Sequence, residues 1–214
     1  MTRPAGSPAG SSASRVPRAC LLVFAAVWVA LAFGPVDRED WLLENALAFI
    51  AVPVAVAAHR RRPFSNRACI QATLFAILNT VGAHYTYSLV PAGDWLRDIA
   101  GLERNHYDRL VHFSFGLLML RPLREFTRLD DSAPGGGTLG WLALTQVMTA
   151  SAGYELIEWA VAAIVDPAAG AAYLGTQGDQ WDAQKDMACA LVGALIALLA
   201  ERRARKNGQA RGSQ

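Results

Sequence analysis

Charge is what this 214-residue sequence has least of: Asp, Glu, Lys and Arg make up 18% of it, against 53% hydrophobic residues. That balance argues against an ordinary soluble domain, where about a quarter of residues are charged. Cysteine is scarce as well. Cys20, Cys69 and Cys189 each lie within or beside an apolar block, and no Cys-x-x-C or Cys/His spacing occurs. A disulfide framework and a structural zinc site are therefore unsupported, and the three read as buried small hydrophobes. Gly135-Gly136-Gly137 is not followed by Gly-Lys-Ser/Thr, so it is a linker and not a phosphate loop. The chain has no His-Glu-x-x-His motif, no Asp-Gly-x-x-Ala-Arg motif of the head-group transferase type, and no internal repeat such as many transporters carry.

What is present is long apolar blocks. A bilayer core of roughly 30 Å needs about 20 residues of helix. Blocks near that length predict spans over about 19–36, 41–58, 68–90, 106–126, 139–165 and 179–200, with a polar stretch over 91–105 between the third and fourth. The fourth is the least regular, because Asp108, Arg109, Arg121 and Arg124 fall inside it. The expected fold is all-α, a polytopic transmembrane helical bundle. Residues 1–18, rich in Ser, Pro and Ala, are expected to be a disordered cytoplasmic tail. Residues 19–201 form a single transmembrane domain, and 202–214 a basic cytoplasmic tail. Ala30-Leu31-Ala32 resembles a small-residue cleavage site, so the first span also fits a signal peptide.

Basic residues orient the bundle. The N-terminal tail, the 59–67 loop, the 121–138 loop and the C-terminal tail hold 15 of the 20 Lys and Arg residues. The other set of loops holds Arg38, Arg97, Arg104, Arg109 and Lys185. The positive-inside rule then predicts both termini in the cytoplasm, and six spans satisfy that parity.

The polar residues show a second asymmetry. His84, Tyr85 and Tyr87 fall at the outer end of span three, and His106, Asp108 and His112 at the outer start of span four. Tyr154, Glu155 and Glu158 lie in the outer half of span five. Asp179, Asp182 and Asp186 lead into span six, and Glu39, Asp40, Glu44 and Asn45 into span two. Asp108 and His112 are i,i+4 and share a helix face; Glu155 and Glu158 are i,i+3 and share another. The uninterrupted apolar part of span six, 187–200, is only about 21 Å of helix. Its acidic start is therefore expected at or below the outer interface. A charge near the bilayer centre costs about 2.5–3.5 kcal/mol on insertion scales, so these groups should face one another or a wet cavity.

Several of these residues also have plain structural readings. Asp108, Asp179 and Asp182 fit helix caps. His84 reads as a hydrogen-bonded interior histidine, Glu39 and Asp40 as solvated interface acids, and Trp41, Trp95, Trp159 and Trp181 as an aromatic belt. Glu155 and Glu158, two acids within a span, need partners, a cation or a proton.

Three strings resemble the YjdF-like family of bacterial inner-membrane proteins. They are Arg104-Asn105-His106-Tyr107-Asp108-Arg109 with His112 after it, Tyr154-Glu155-Leu156-Ile157-Glu158-Trp159, and Leu174-Gly175-Thr176-Gln177-Gly178-Asp179-Gln180-Trp181-Asp182 followed by Asp186-Met187. The resemblance implies a small multi-helix protein of the bacterial inner membrane and supplies no mechanism. A fainter likeness runs to VanZ-like proteins, linked with glycopeptide resistance. Those carry Asp-Lys-x-x-His-Phe where this chain has Asp108-Arg109-Leu110-Val111-His112-Phe113. Glu158 and Asp186 match their later acids.

Three functions fit an outward-facing acidic and histidine pocket. In the first, Asp108, His112, Glu155, Glu158, Asp182 and Asp186 perform acid–base chemistry on a lipid-linked or envelope substrate. There His106, Asp108, His112, Glu155, Glu158, Asp179, Asp182 and Asp186 offer nitrogen and oxygen ligands to a divalent metal. The second is an ion-coupled transporter, and the third a non-catalytic membrane factor that binds a lipid or a partner. Expected partners are membrane lipids and a lipid-linked substrate, with no nucleic acid.

Overall fold

The structure, a computed structural model, describes residues 15–132 and 136–212. They form eight helices: α1 (Arg15–Leu31), α2 (Arg38–Arg61), α3 (Asn66–His84), α4 (Pro91–Ala100), α5 (Tyr107–Thr127), α6 (Gly136–Ala162), α7 (Pro167–Leu174) and α8 (Asp182–Gly212). The fold is all-α, as expected. Local chemistry sets several boundaries. The Asp37 side chain accepts from the Glu39 and Asp40 amides to start α2, and Ser65 does the same for Ala68 in α3. Pro91 opens α4, and Gly101 closes it in the left-handed region at φ 64°.

Two expected boundaries are corrected. Span three does not run to Val90: α3 stops at His84, and Thr86 and Tyr87 take positive φ in the turn beyond it. The last helix begins at Asp182 rather than Asp179, and continues as helix through the basic segment to Gly212. The polar stretch at 91–105 contains α4, a short helix not foreseen. Residues 1–14 of the expected tail, and 133–135 of the Pro-Gly linker, lie outside the described residues, and α1 already begins at Arg15.

α5 and α8 are the closest-packed pair, and they run parallel. From one end to the other, Arg109 lies near Asp186, Gly116 near Ala190 and Ala194, Phe113 and Leu117 near Gly193, and Arg121 near Glu201. Two glycines permit this approach. A Cβ on Gly116 would run into the Ala190 carbonyl, and one on Gly193 into the Phe113 carbonyl. Small residues bring membrane helices together in the same way. α6 completes a core of Leu120, Ala143, Leu144, Val147, Ala190, Ala194 and Leu198. α3 packs on α5 and α1 on α3, while α2 touches α3 and α7.

Polarity is inverted relative to a water-soluble protein. Leu22, Phe33, Ile50, Leu156 and Trp159 are each more than 60% exposed, whereas Asp40, Glu44, Asn45, Asn105, Asp182 and Asp186 are buried. Ionisable groups gathered inside an aliphatic exterior are what a lipid solvent selects. α2 and the Asp182–Ala204 part of α8 are each long and apolar enough to cross a membrane. Trp95, Trp159 and Trp181 are exposed, but Trp41 is not a belt residue. It is buried, its ring 5.4 Å from that of Trp28. Asp40 likewise is buried and not solvated, while Glu39 is exposed. His84 is hydrogen-bonded, its Nδ1 lying 2.8 Å from the Leu31 carbonyl.

Candidate functional site

The i,i+4 pair on α5 is the starting point. His112 Nε2 lies 3.5 Å from Asp108 Oδ1 and 3.6 Å from Glu155 Oε1 on α6. These separations exceed a good hydrogen bond, so the three groups converge without bonding one another. The parallel packing of α8 adds Asp186. Asp108, His112 and Asp186 each present a ligand atom within 4.8 Å of the others. Asp186 Oδ1 and Glu155 Oε1 are buried oxygens without a hydrogen-bond partner. A cavity of about 140 Å³ adjoins the group, lined among others by Asp108, His112, Tyr87, Ser151 and Tyr154.

Beside it lies a network of opposite charges. Arg109, one residue past Asp108, donates to Asp179 and, at 3.1 Å, to Asp182; its Nε is 3.9 Å from Asp186. Arg104 donates to Asp182 and, at 3.0 Å, to the Thr176 carbonyl. Lys185 Nζ donates to Asp179 at 2.7 Å. Asp179 lies in the turn before α8, outside the helix. Lys185 first, then the Trp181 amide and Arg109, hold its carboxyl well below the usual carboxylate range. The turn is shaped by positive φ at Gly175, Gln177 and Gly178. Gln177 clasps the other segment twice: its Nε2 donates to the Asn105 carbonyl at 2.9 Å, and its Oε1 accepts the Asn105 amide at 3.0 Å. Two strings more than 70 residues apart are thus bound into one unit.

The third part is acidic and phenolic. Tyr154 donates to Glu44 Oε2 at 2.5 Å. Glu158 lies one turn beyond Tyr154 and Glu155 on α6. Tyr87 donates to Asn79 Oδ1 at 2.9 Å.

The eight candidate ligands therefore divide. Asp108, His112 and Asp186 meet, with Glu155 beside them. Glu158 lies one turn further along α6 with Tyr154, and Asp179 and Asp182 are held by arginines. His106 is half-buried at the start of α5, and its side chain makes no capping bond. Three partners went unselected by sequence reasoning: Glu44, Arg104 and Arg109. For Glu44 a signal existed, since Asp40 and Glu44 repeat the i,i+4 spacing of Asp108 and His112.

An aliphatic shell around a buried ionisable cluster defines an integral membrane protein of the helical class. The chain belongs to the family described as predicted membrane protein (DUF2238), which it matches over residues 16–207. It is similar to the inner membrane protein YjdF of Escherichia coli (strain K12), at 39% identity over 163 residues, covering 76% of this chain and 78% of that protein. Its localisation is accordingly that of an inner-membrane protein. No solved structure matches it.

Proposed function

We propose that this is a six-span inner-membrane protein with both termini cytoplasmic, whose outer pocket holds a divalent cation at Asp108, His112 and Asp186 and performs acid–base chemistry on a lipid-linked or envelope substrate. The observation that carries the reading is the convergence of one imidazole and two carboxylates, with buried oxygens of Asp186 and Glu155 left unpartnered. In a tetrahedral shell with ligands about 2.1 Å from zinc, donor atoms stand roughly 3.4 Å apart. The 3.5 Å between His112 and Asp108 is close to that spacing.

A cation bound there would polarise a phosphoryl or carbonyl oxygen and acidify a bound water. The protein's own groups then move protons. Glu155, 3.6 Å from His112, stands next to the three donors, and Tyr154, the residue before it on α6, donates to Glu44. The adjoining cavity has room for several waters. Between the cavity and the Arg121 and Arg124 ion pairs with Glu201 at the inner end lies an aliphatic core of Leu120, Ala143, Leu144, Val147, Ala190 and Ala194. That weighs against a permease. Retention of α1 is supported by Trp28, whose Nε1 donates to the buried Asn45 at 2.7 Å.

Two experiments test the reading. Metal content of the purified protein is expected to be near stoichiometric, and reduced in Asp108→Ala, His112→Ala and Asp186→Ala. Metal-free wild type after incubation with zinc and manganese, or equal binding by all three variants, would refute the site. Reporter fusions after Arg62 and Asp131 should report cytoplasmic, and those after Glu103 and Gln177 periplasmic; the reverse pattern would overturn the topology.

A further inference from the structure

The opposite end of the bundle holds a larger space. A groove of about 740 Å³ runs between α1, α2, α3 and α5, walled by aliphatic and small residues such as Leu21, Phe24, Ala55, Ala72 and Met119. It exists because α2 stands off from the bundle below its first turns. Asp40, Trp41, Glu44 and Asn45 are buried, and so is Ala58, but no residue from Ala46 to Ala57 is. α2 therefore meets its neighbours at its two ends and leaves a lateral opening between them.

The mouth of this groove is basic. Arg18 at the start of α1, and His59 and Arg60 at the end of α2, line it. Among the described residues neither Arg18 nor Arg60 has an acidic partner. Their neighbour Arg62, by contrast, donates to Asp131 at 2.5 Å. Two uncompensated guanidiniums above a long apolar slot match one ligand chemistry, a head group of net negative charge whose phosphodiester carries acyl chains. Basic pockets between helices on the cytoplasmic side recognise anionic head groups in this manner.

We infer that the groove between α1, α2, α3 and α5 is a binding site for an anionic phospholipid of the cytoplasmic leaflet, its phosphate held by Arg18 and Arg60 and its acyl chain laid against Leu21, Phe24 and Ala55. The leaflet rests on the proposed orientation; the lipid class does not. The site is separate from the outer pocket: the two share no lining residue, and the Phe75 and Phe115 rings, centroids 5.2 Å apart, belong to the wall of the outer one.

The test is native mass spectrometry of the full chain in a nonionic detergent, titrated with phosphatidylglycerol or phosphatidylcholine of matched acyl chains. At about fivefold per arginine, the preference for phosphatidylglycerol should be roughly 25-fold. Arg18→Gln and Arg60→Gln should each reduce it about fivefold. Ala55→Trp, which fills the slot, should abolish retention of both lipids while metal binding at the outer pocket is unchanged. Equal retention of the two lipids by wild type overturns the inference. So does an Ala55→Trp protein that holds phosphatidylglycerol as wild type does, or a lipid-free dimer seated on this face. Should Ala55→Trp fail to fold, the wild-type preference and the two arginine variants decide the question. Lipid preference in detergent is independent of membrane orientation, so its failure is distinguishable from failure of the reporter-fusion topology.

Discussion

The Tyr154 hydroxyl on α6 donates to Glu44 on α2 at 2.5 Å, joining residues 110 apart in sequence. With the Trp28–Asn45 hydrogen bond from α1, it fixes the first turns of α2. The bond also ties an acid at the start of one span to the face of α6 that carries Glu155 and Glu158.

Removing the hydroxyl should leave a buried carboxylate short of a donor. Tyr154→Phe is expected to destabilise the protein by about 1–3 kcal/mol, the usual cost of an orphaned buried acceptor. Glu44→Gln keeps an acceptor oxygen and should cost less. Thermal unfolding in detergent measures both, and a Tyr154→Phe protein as stable as wild type would show that the bond contributes nothing.

Arg104 and Asp182 form a buried ion pair, each less than a tenth exposed at the side chain. Arg109 still reaches Asp182 at 3.1 Å when Arg104 is lost, so Arg104→Ala should destabilise by less than the about 3–5 kcal/mol of a fully orphaned interior charge. The double variant Arg104→Gln/Asp182→Asn should recover part of that loss, because it removes both charges together. Additive losses in a double-mutant cycle would contradict a direct pairing.

The α5–α8 contact predicts a contrast among glycines. At Gly116 and Gly193 an added methyl meets backbone of the facing helix, which cannot move aside, so Gly116→Ala and Gly193→Ala should abolish stable folding or split the pair. Gly153 on α6 has nothing within 4 Å of a Cβ. Gly153→Ala should be neutral or stabilising by up to about 1 kcal/mol, from helix propensity alone. Expression yield and melting temperature of the three variants check this. A well-folded Gly116→Ala protein would contradict the packing.

Acid should weaken the Asp179 network. Its carboxyl is held below its ordinary range by Lys185, Trp181 and Arg109, so its stabilisation is present in full above the unfolded value near pH 4 and is lost as pH falls toward the depressed folded value. Asp179→Asn should therefore flatten the acid limb of the stability profile below about pH 4 and leave its neutral region parallel to wild type. An unchanged acid limb would count against the ion pairs with Lys185 and Arg109.

Much of the architecture is legible without coordinates because the bilayer imposes simple rules. A block must be long and apolar to span, so helices fall where the apolar blocks do. Local spacing was equally readable: Asp108 and His112 had to share a face of α5, as Glu155 and Glu158 share one of α6. The misreadings are local too. Trp41 and Asp40 sit where interface residues belong, yet both are buried, with the Trp28 ring of α1 against Trp41 and α7 packed on α2. Nothing within their own segment discloses that covering.

Which of the outer acids meet was another matter. Hydropathy and periodicity bring eight candidates to one level of the bilayer but carry no information on azimuth, the direction each helix face points. Only the parallel docking of α8 on α5 through Gly116 and Gly193 brings Asp186 to His112, and only the turn at 175–178 delivers Asp179 and Asp182 to Arg104 and Arg109. That selection is a property of long-range packing, in which a rotation of one helix by a single residue would exchange a pocket-facing carboxylate for a lipid-facing side chain.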